Sequence, residues 1–214
     1  MENTNAYVRE PKQERSRLSF DRAVDAAVSL LVERRAATFT LAEVAERAGV
    51  STGSIYGRVD SKDDLLRTAH AREMTRMSVE QTEALTADAP EGETFPETVS
   101  RLVHTAGDLL RRNAGVLAPF MVMGPHDPVI AELGQRSYRE FSDAFSAALL
   151  ARDEITHPEP ARAAAWSCTV VYSVLARWLG LGSAPDAAGE GDWDVILDDL
   201  AEMVTAFLTG APRG

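Results

Sequence analysis

Between positions 51 and 58 the chain reads STGSIYGR. Ser51, Thr52, Ser54, Tyr56 and Arg58 put hydroxyls, a phenol and a guanidinium within two turns of a helix, with Gly53 and Gly57 between them. Groups of this kind hydrogen-bond to phosphate oxygens and to the edges of bases. Arg58 can take a phosphate or, bidentately, guanine O6 and N7, and Thr52 can touch a base or a thymine methyl. The chemistry is that of recognition.

Such a face works only if a scaffold holds it outward, and the flanking residues describe one. Thr40 and Glu43 form an S/T-x-x-E capping box that opens a short helix, and Gly49 suits the left-handed position that ends it. Ala45 and Ala48 are small enough for a second helix to cross closely, and Leu41, Val44, Val50 and Ile55 are apolar anchors. Ser51 caps the next short helix. Ser61 and Asp64 make a second capping box, opening a long helix through Leu65, Leu66, Ala69 and Met77. Ahead of the corner, Phe20, Ala23, Val24, Ala27, Leu30 and Leu31 recur at helical spacing, with Ser19 as the N-cap. Together these elements spell a helix-turn-helix. Tyr56 either faces DNA or packs between helices. Ser51 is a cap whether or not it also touches DNA.

The net charge of the 214 residues is -11, from 22 Lys+Arg against 33 Asp+Glu. Its distribution matters more than its size. Residues 1–70 hold eleven of each sign and balance, so the whole acidic excess lies beyond them. A neutral head attached to a body that phosphates repel is compatible with a DNA partner. The stretch REPKQERSR, with Arg9, Lys12, Arg15 and Arg17, could reach a minor groove as basic arms do, or stay a solvated tail. Cys168 is the single cysteine, so no internal disulfide is possible, and a reducing cytoplasm is the expected compartment. No apolar run is long enough to span a membrane.

The rest of the chain is helical as well. Breaks fall at ADAPEGET (87–94), GPHDP (124–128), THPEP (156–160) and GSAPDAAGEGD before Trp193. Between them, helices are expected from Thr94 to about Asn113, from Pro128 to about Glu154, and from near 160. WSCTVVYSVLARWLGL is apolar nearly all round and should be buried on more than one side. Trp193, Ile196, Leu197, Leu200, Met203, Val204, Phe207 and Leu208 make a stripe on the final helix. The fold class is all-α, with about nine helices and no strand. The last two helices carry more apolar surface than one neighbour each would cover, so a second copy of the chain is the economical partner. An ordinary monomeric core is the alternative.

From about 18 to 70 the chain resembles the N-terminal domain of TetR-family transcriptional regulators. Such domains follow T-x-x-x-I-A-x-x-A-G-V-S-x-G-x-[LIF]-Y-x-[HY]-F-x-[SN]-K-x-x-L-L. Thr40, Val44, Ala45, Ala48, Gly49, Val50, Ser51, Gly53, Ile55, Tyr56, Ser61, Lys62, Leu65 and Leu66 fall in register. Gly57 departs from it where a large residue is common, Arg58 replaces His or Tyr, and Val59 replaces an aromatic. The resemblance implies an N-terminal arm (1–17), a helix-turn-helix DNA-binding domain (18–70) and a ligand-binding and dimerisation domain (71–214). It implies phosphate contacts from Thr40, Tyr56 and Lys62, and contacts to phosphate or base from Ser51, Thr52, Gly53, Ser54, Gly57 and Arg58. A homodimer, joined through the two C-terminal helices, would sit on a palindromic double-stranded operator as a repressor. A small apolar or aromatic effector would release it, acting through the long helix from 61 to about 87. Candidate effector contacts are His104, Phe120, Met121, Met123, Phe141, Phe145, Trp166 and Trp178; flexible methionines and flat aromatics suit such ligands. His104 and Asp108 form an i, i+4 pair, either a polar anchor or an exposed ion pair.

An enzyme is disfavoured: the sequence has no H-E-x-x-H, no phosphate-binding G-x-x-x-x-G-K-[ST], no C-x-x-C and no G-x-S-x-G. No cofactor is expected, and the histidines at 70, 104, 126 and 157 are too far apart to suggest a metal site. The rival reading is a helical ligand-binding or adaptor module with a degenerate DNA-binding head.

Overall fold

The computed structural model describes residues 12–87, 89–182 and 188–210. Among them are eight α-helices: α1 (Lys12–Arg34), α2 (Leu41–Ala48), α3 (Thr52–Tyr56), α4 (Lys62–Leu85), α5 (Phe95–Met123), α6 (Pro128–Leu150), α7 (Pro160–Trp178) and α8 (Trp193–Thr209). A single 3-10 turn, Gly124–His126, links α5 to α6, and no described residue lies in a strand. The chain divides into two units, Met1–Arg72 and Glu73–Gly214.

In the first unit α1 packs on α2 and α3. The stripe expected on α1 is its inner face, with Ala23, Val24, Ala27, Leu30 and Leu31 all buried. Its start is not where the cap signal pointed. The helix begins at Lys12, so Ser19 lies inside it, and the basic residues Arg15 and Arg17 are helical rather than an extended arm. Lys, Gln, Glu and Arg all have good helix propensity, which is enough to extend a helix that tertiary packing already nucleates. Residues 1–11 of the arm are outside the described residues. Ion pairs tie α1 to its neighbours: Arg47 of α2 reaches Glu33, and Arg72 of α4 meets Asp25 at 2.6 Å.

In the second unit α5 is the central helix, touching α6, α7 and α8. Phe95, Val99, Leu102, Val103, Ala106, Leu109 and Leu110 recur at helical spacing and are all buried. Gly107 faces α8; a Cβ there would lie 2.7 Å from Leu197 Cδ2 and 3.1 Å from Trp193 Cζ2. The missing side chain is what lets the two helices close. α5 outruns its expected end at Asn113 by ten residues. The Asn113 amide donates to the Leu109 carbonyl at 2.9 Å and to Glu80 at 3.2 Å, so it is satisfied inside the helix and does not break it. α6 and α8 are capped by Asp127 and Asp192, each accepting two backbone N–H bonds. α7 departs from its expected all-round burial. Ala163, Ala164, Cys168, Val171 and Leu175 are buried, whereas Trp166 is 56 % exposed and Val174 is also at the surface of the single chain.

Candidate nucleic-acid interface

The corner after α2 is a Schellman turn. Gly49 has φ 62° and ψ 39°. Its N–H donates to the Glu46 carbonyl at 3.2 Å, and the Val50 N–H donates to the Ala45 carbonyl at 3.0 Å. Two carbonyls that helix termination would orphan are thereby satisfied. α3 then starts on Ser51, whose Oγ accepts the Ser54 N–H at 3.1 Å and lies 2.8 Å from Ser54 Oγ. Ile55 is completely buried and fastens the helix, and Val59, in the aromatic's place, is buried after it. With that side pinned, the other side must face outward. Ser51, Gly53, Ser54, Gly57 and Arg58 are exposed, Thr52 is half-buried, and Tyr56 is 55 % exposed. Tyr56 therefore does not pack between helices. All seven residues picked out between 51 and 58 lie on this one short segment.

The two other DNA candidates in the corner are held elsewhere. Thr40 is exposed, but its Oγ1 accepts the Glu43 N–H at 3.3 Å and donates to Glu43 Oε2 at 3.0 Å. The Thr40 N–H also donates to that carboxylate at 2.8 Å. An anion, Glu43, thus already occupies the positive end of α2. The Arg34 guanidinium, 2.5 Å from Glu43, and the Thr40 hydrogen bonds hold this carboxyl down at about 2. Lys62 donates to the Ala37 and Phe39 carbonyls at 2.8 and 3.2 Å and lies 5.7 Å from the centre of the Phe39 ring. Its ammonium closes the α1–α2 connection.

Arg58 is held differently. Its Nε and Nη2 donate to Ser16 Oγ at 3.4 and 3.2 Å. Ser16 was not among the sequence candidates. Nothing local in the sequence joins residues 42 apart, and α1 was expected to begin after it.

The eight effector candidates sit in different settings. Phe120, Phe141 and Phe145 are fully buried core residues, with the two Phe141 and Phe145 rings 6.2 Å apart. Met121 and Trp178 are half-buried against the same core, and the Trp178 ring lies 4.6 Å from that of Trp193. Met123 is half-buried and Trp166 faces outward. His104 meets Asp198 of α8 at 3.1 Å, not Asp108. An open cleft of about 580 Å³ lies elsewhere in this unit, lined by Gly92, Glu93, Thr94, Phe95, Pro96, Arg152, Glu154, Thr205 and Thr209. Cys168 is buried, and desolvation pushes its thiol up to about 11, against a small opposing effect of a hydrogen bond with Ser142. No group of three His, Cys, Asp or Glu among the described residues could hold a metal ion, and no described helix is long and apolar enough to cross a membrane.

Comparison with known proteins places this geometry. The family described as bacterial regulatory proteins, tetR family, matches residues 23–69, which takes in the corner and α3. An uncharacterized HTH-type transcriptional regulator of Mycobacterium tuberculosis is 31 % identical over 164 residues, covering 75 % of this chain and 76 % of the relative. Among solved structures, a transcriptional regulator from Rhodococcus sp. RHA1 superposes with a TM-score of 0.65 at 22 % identity, covering 91 % of this chain and all of that one. The fatty acid degradation regulator FadR of Bacillus halodurans superposes with a TM-score of 0.60 at 17 % identity over 97 % of this chain and all of that one. At these identities the two structures share the fold.

Proposed function

The chain belongs to the tetR family of bacterial regulatory proteins, transcriptional regulators rather than enzymes, and from that premise we propose that it binds a palindromic operator as a homodimer. The observation that carries the reading is the exposed face of α3. Tyr56 points a large aromatic into solvent from a short helix that is pinned by its neighbour Ile55, which is completely buried. A lone monomer gains nothing from that arrangement, whereas a DNA groove accepts it.

The partner is a second copy, joined through α7 and α8. Trp166 and Val174 on α7, with Val195, Met203 and Phe207 on α8, leave apolar surface exposed on both helices. Two-fold pairing would set one reading helix against each half of a palindrome, about 34–36 Å apart. The chain acts as a repressor, and a small apolar or aromatic molecule releases it by binding better to the state in which the spacing is wrong. Met121 and Trp178, half-buried against the core, are contacts proposed for such a guest.

The test uses the full-length protein and duplexes selected from a random-sequence pool. A palindromic motif should emerge, and binding to it should fall steeply with added salt. Tyr56→Ala should weaken that binding while the melting temperature and the dimer, followed by sedimentation, stay unchanged. Selection of no motif, or wild-type affinity in Tyr56→Ala, would leave the exposed face unexplained and favour the adaptor reading.

A further inference from the structure

We infer that Arg58 and Ser16 form a clamp, built from two helices, for one phosphodiester of the operator backbone: Arg58 grips the phosphate and Ser16 of α1 aims it. The inference rests on the DNA-binding reading above and adds a contact that α3 alone does not supply.

Its basis is how Arg58 is held. Like Arg22, which donates to Ser19 Oγ at 3.4 Å within its own helix, it meets a serine hydroxyl, but its serine lies on α1, 42 residues away. Arg34, Arg47, Arg67 and Arg72 in the same unit each have a carboxylate partner. Arg58 has none among the described residues; its partner is a neutral hydroxyl. A carboxylate would cancel the charge as it ordered the side chain. Ser16 Oγ orders it and leaves the charge intact. The hydroxyl also takes one defined edge of the guanidinium, Nε and Nη2. That leaves the end-on edge, an Nη1–H beside the second Nη2–H, as a parallel donor pair. Two parallel donors match the two non-bridging oxygens of a phosphate.

Position favours the backbone over a base. Reading helices place their N-terminal residues on base edges. Arg58 comes after Gly57, the residue that ends α3, and its head is drawn towards α1. A guanidinium at that end of the segment meets the strand flanking the groove.

The experiment measures affinity of the full-length protein for its selected duplex across a series of KCl concentrations. Four variants are compared: Arg58→Ala, Ser16→Ala, Ser16→Thr and the Ser16→Ala/Arg58→Ala double. Arg58→Ala should lose about tenfold at low salt, equally on duplexes carrying single base-pair changes, and its salt slope should shrink by about one phosphate. Ser16→Ala should lose on the order of threefold with the slope nearly unchanged, because the charge remains but is no longer held. Ser16→Thr, which keeps the hydroxyl, should regain wild-type affinity. The double variant should be no weaker than Arg58→Ala alone. Relaxed preference at one base pair with an unchanged slope in Arg58→Ala would make Arg58 a base reader and overturn the clamp. Additive losses in the double variant, or failure of threonine to rescue, would remove Ser16 from it. If the wild type selects no duplex, DNA binding fails first and the clamp falls with it.

Discussion

The two units put their information on opposite sides of their surfaces. In Met1–Arg72 the distinctive residues are exposed: Ser51, Ser54, Tyr56 and Arg58 stand outside a core of aliphatics and Phe39. In Glu73–Gly214 the distinctive residues are inside, where Phe141, Phe145 and Trp193 pack with leucines and valines. Their glycines differ in the same sense. Gly49 is needed for its left-handed backbone, and a Cβ there would meet nothing within 4 Å. Gly107 sits in an ordinary helix and is needed for its emptiness, with Leu197 and Trp193 crowding the place a Cβ would take. A reading surface is made by local conformation, and a body is made by close packing.

The comparison is broken most readily at its largest contrast, between two aromatic rings. Phe145→Ala should lower the stability of the body by about 3–5 kcal/mol, because it empties a fully buried site. Denaturant unfolding followed by tryptophan fluorescence reads that unit alone, since Trp166, Trp178 and Trp193 all lie in it. Tyr56→Ala should change stability by less than about 0.5 kcal/mol. Equal losses from the two would erase the distinction.

The glycines sharpen it next. Gly107→Val should destabilise by about 1–3 kcal/mol through overpacking. Gly49→Val should lose roughly 1–2 kcal/mol through backbone strain. Asparagine tells the causes apart: it tolerates the left-handed region, so Gly49→Asn should recover much of the loss, and Gly107→Asn should recover none. Smaller again is the cap. Ser51→Ala should cost about 1 kcal/mol and Ser51→Gly only a few tenths, with faster amide exchange at Ser54 in both.

The smallest effect is acidic. The carboxyl of Glu43 lies well below its ordinary 4.5, at about 2, so the folded state favours its ionised form. Its contribution is therefore complete above pH 4.5 and is lost as the pH falls towards 2. Wild type and Glu43→Gln should differ modestly in melting temperature at pH 7 and converge near pH 2. A gap that widens in acid would mean that the capping box is not its source.

What could be read in advance follows the same division. The corner was legible because capping boxes, a left-handed glycine and an S-x-G-x-x-Y spacing act over four or five residues, within the reach of sequence. The boundaries of α1 and α5 were not. Helix propensity carries α1 back to Lys12 past a good cap, and Asn113 is quieted by Glu80, which comes from another helix. Lys62 and His104 show the same limit: their partners, the Phe39 carbonyl and Asp198, are 23 and 94 residues away. Side chains in the body also mixed two roles that pattern alone cannot separate. Phe145 and Trp166 both looked like apolar candidates, and one is core while the other is surface.

Cys168 has a practical consequence. With its thiol raised to about 11 inside α7, only roughly one molecule in ten thousand carries a thiolate at neutral pH. Maleimide reagents should pass over the native chain, so an Asp63→Cys substitution at an exposed position beside the corner would create one labelled point per copy. A pair of spin labels placed this way would turn the separation of two such corners in solution, with and without an added small molecule, into a single measured distance distribution.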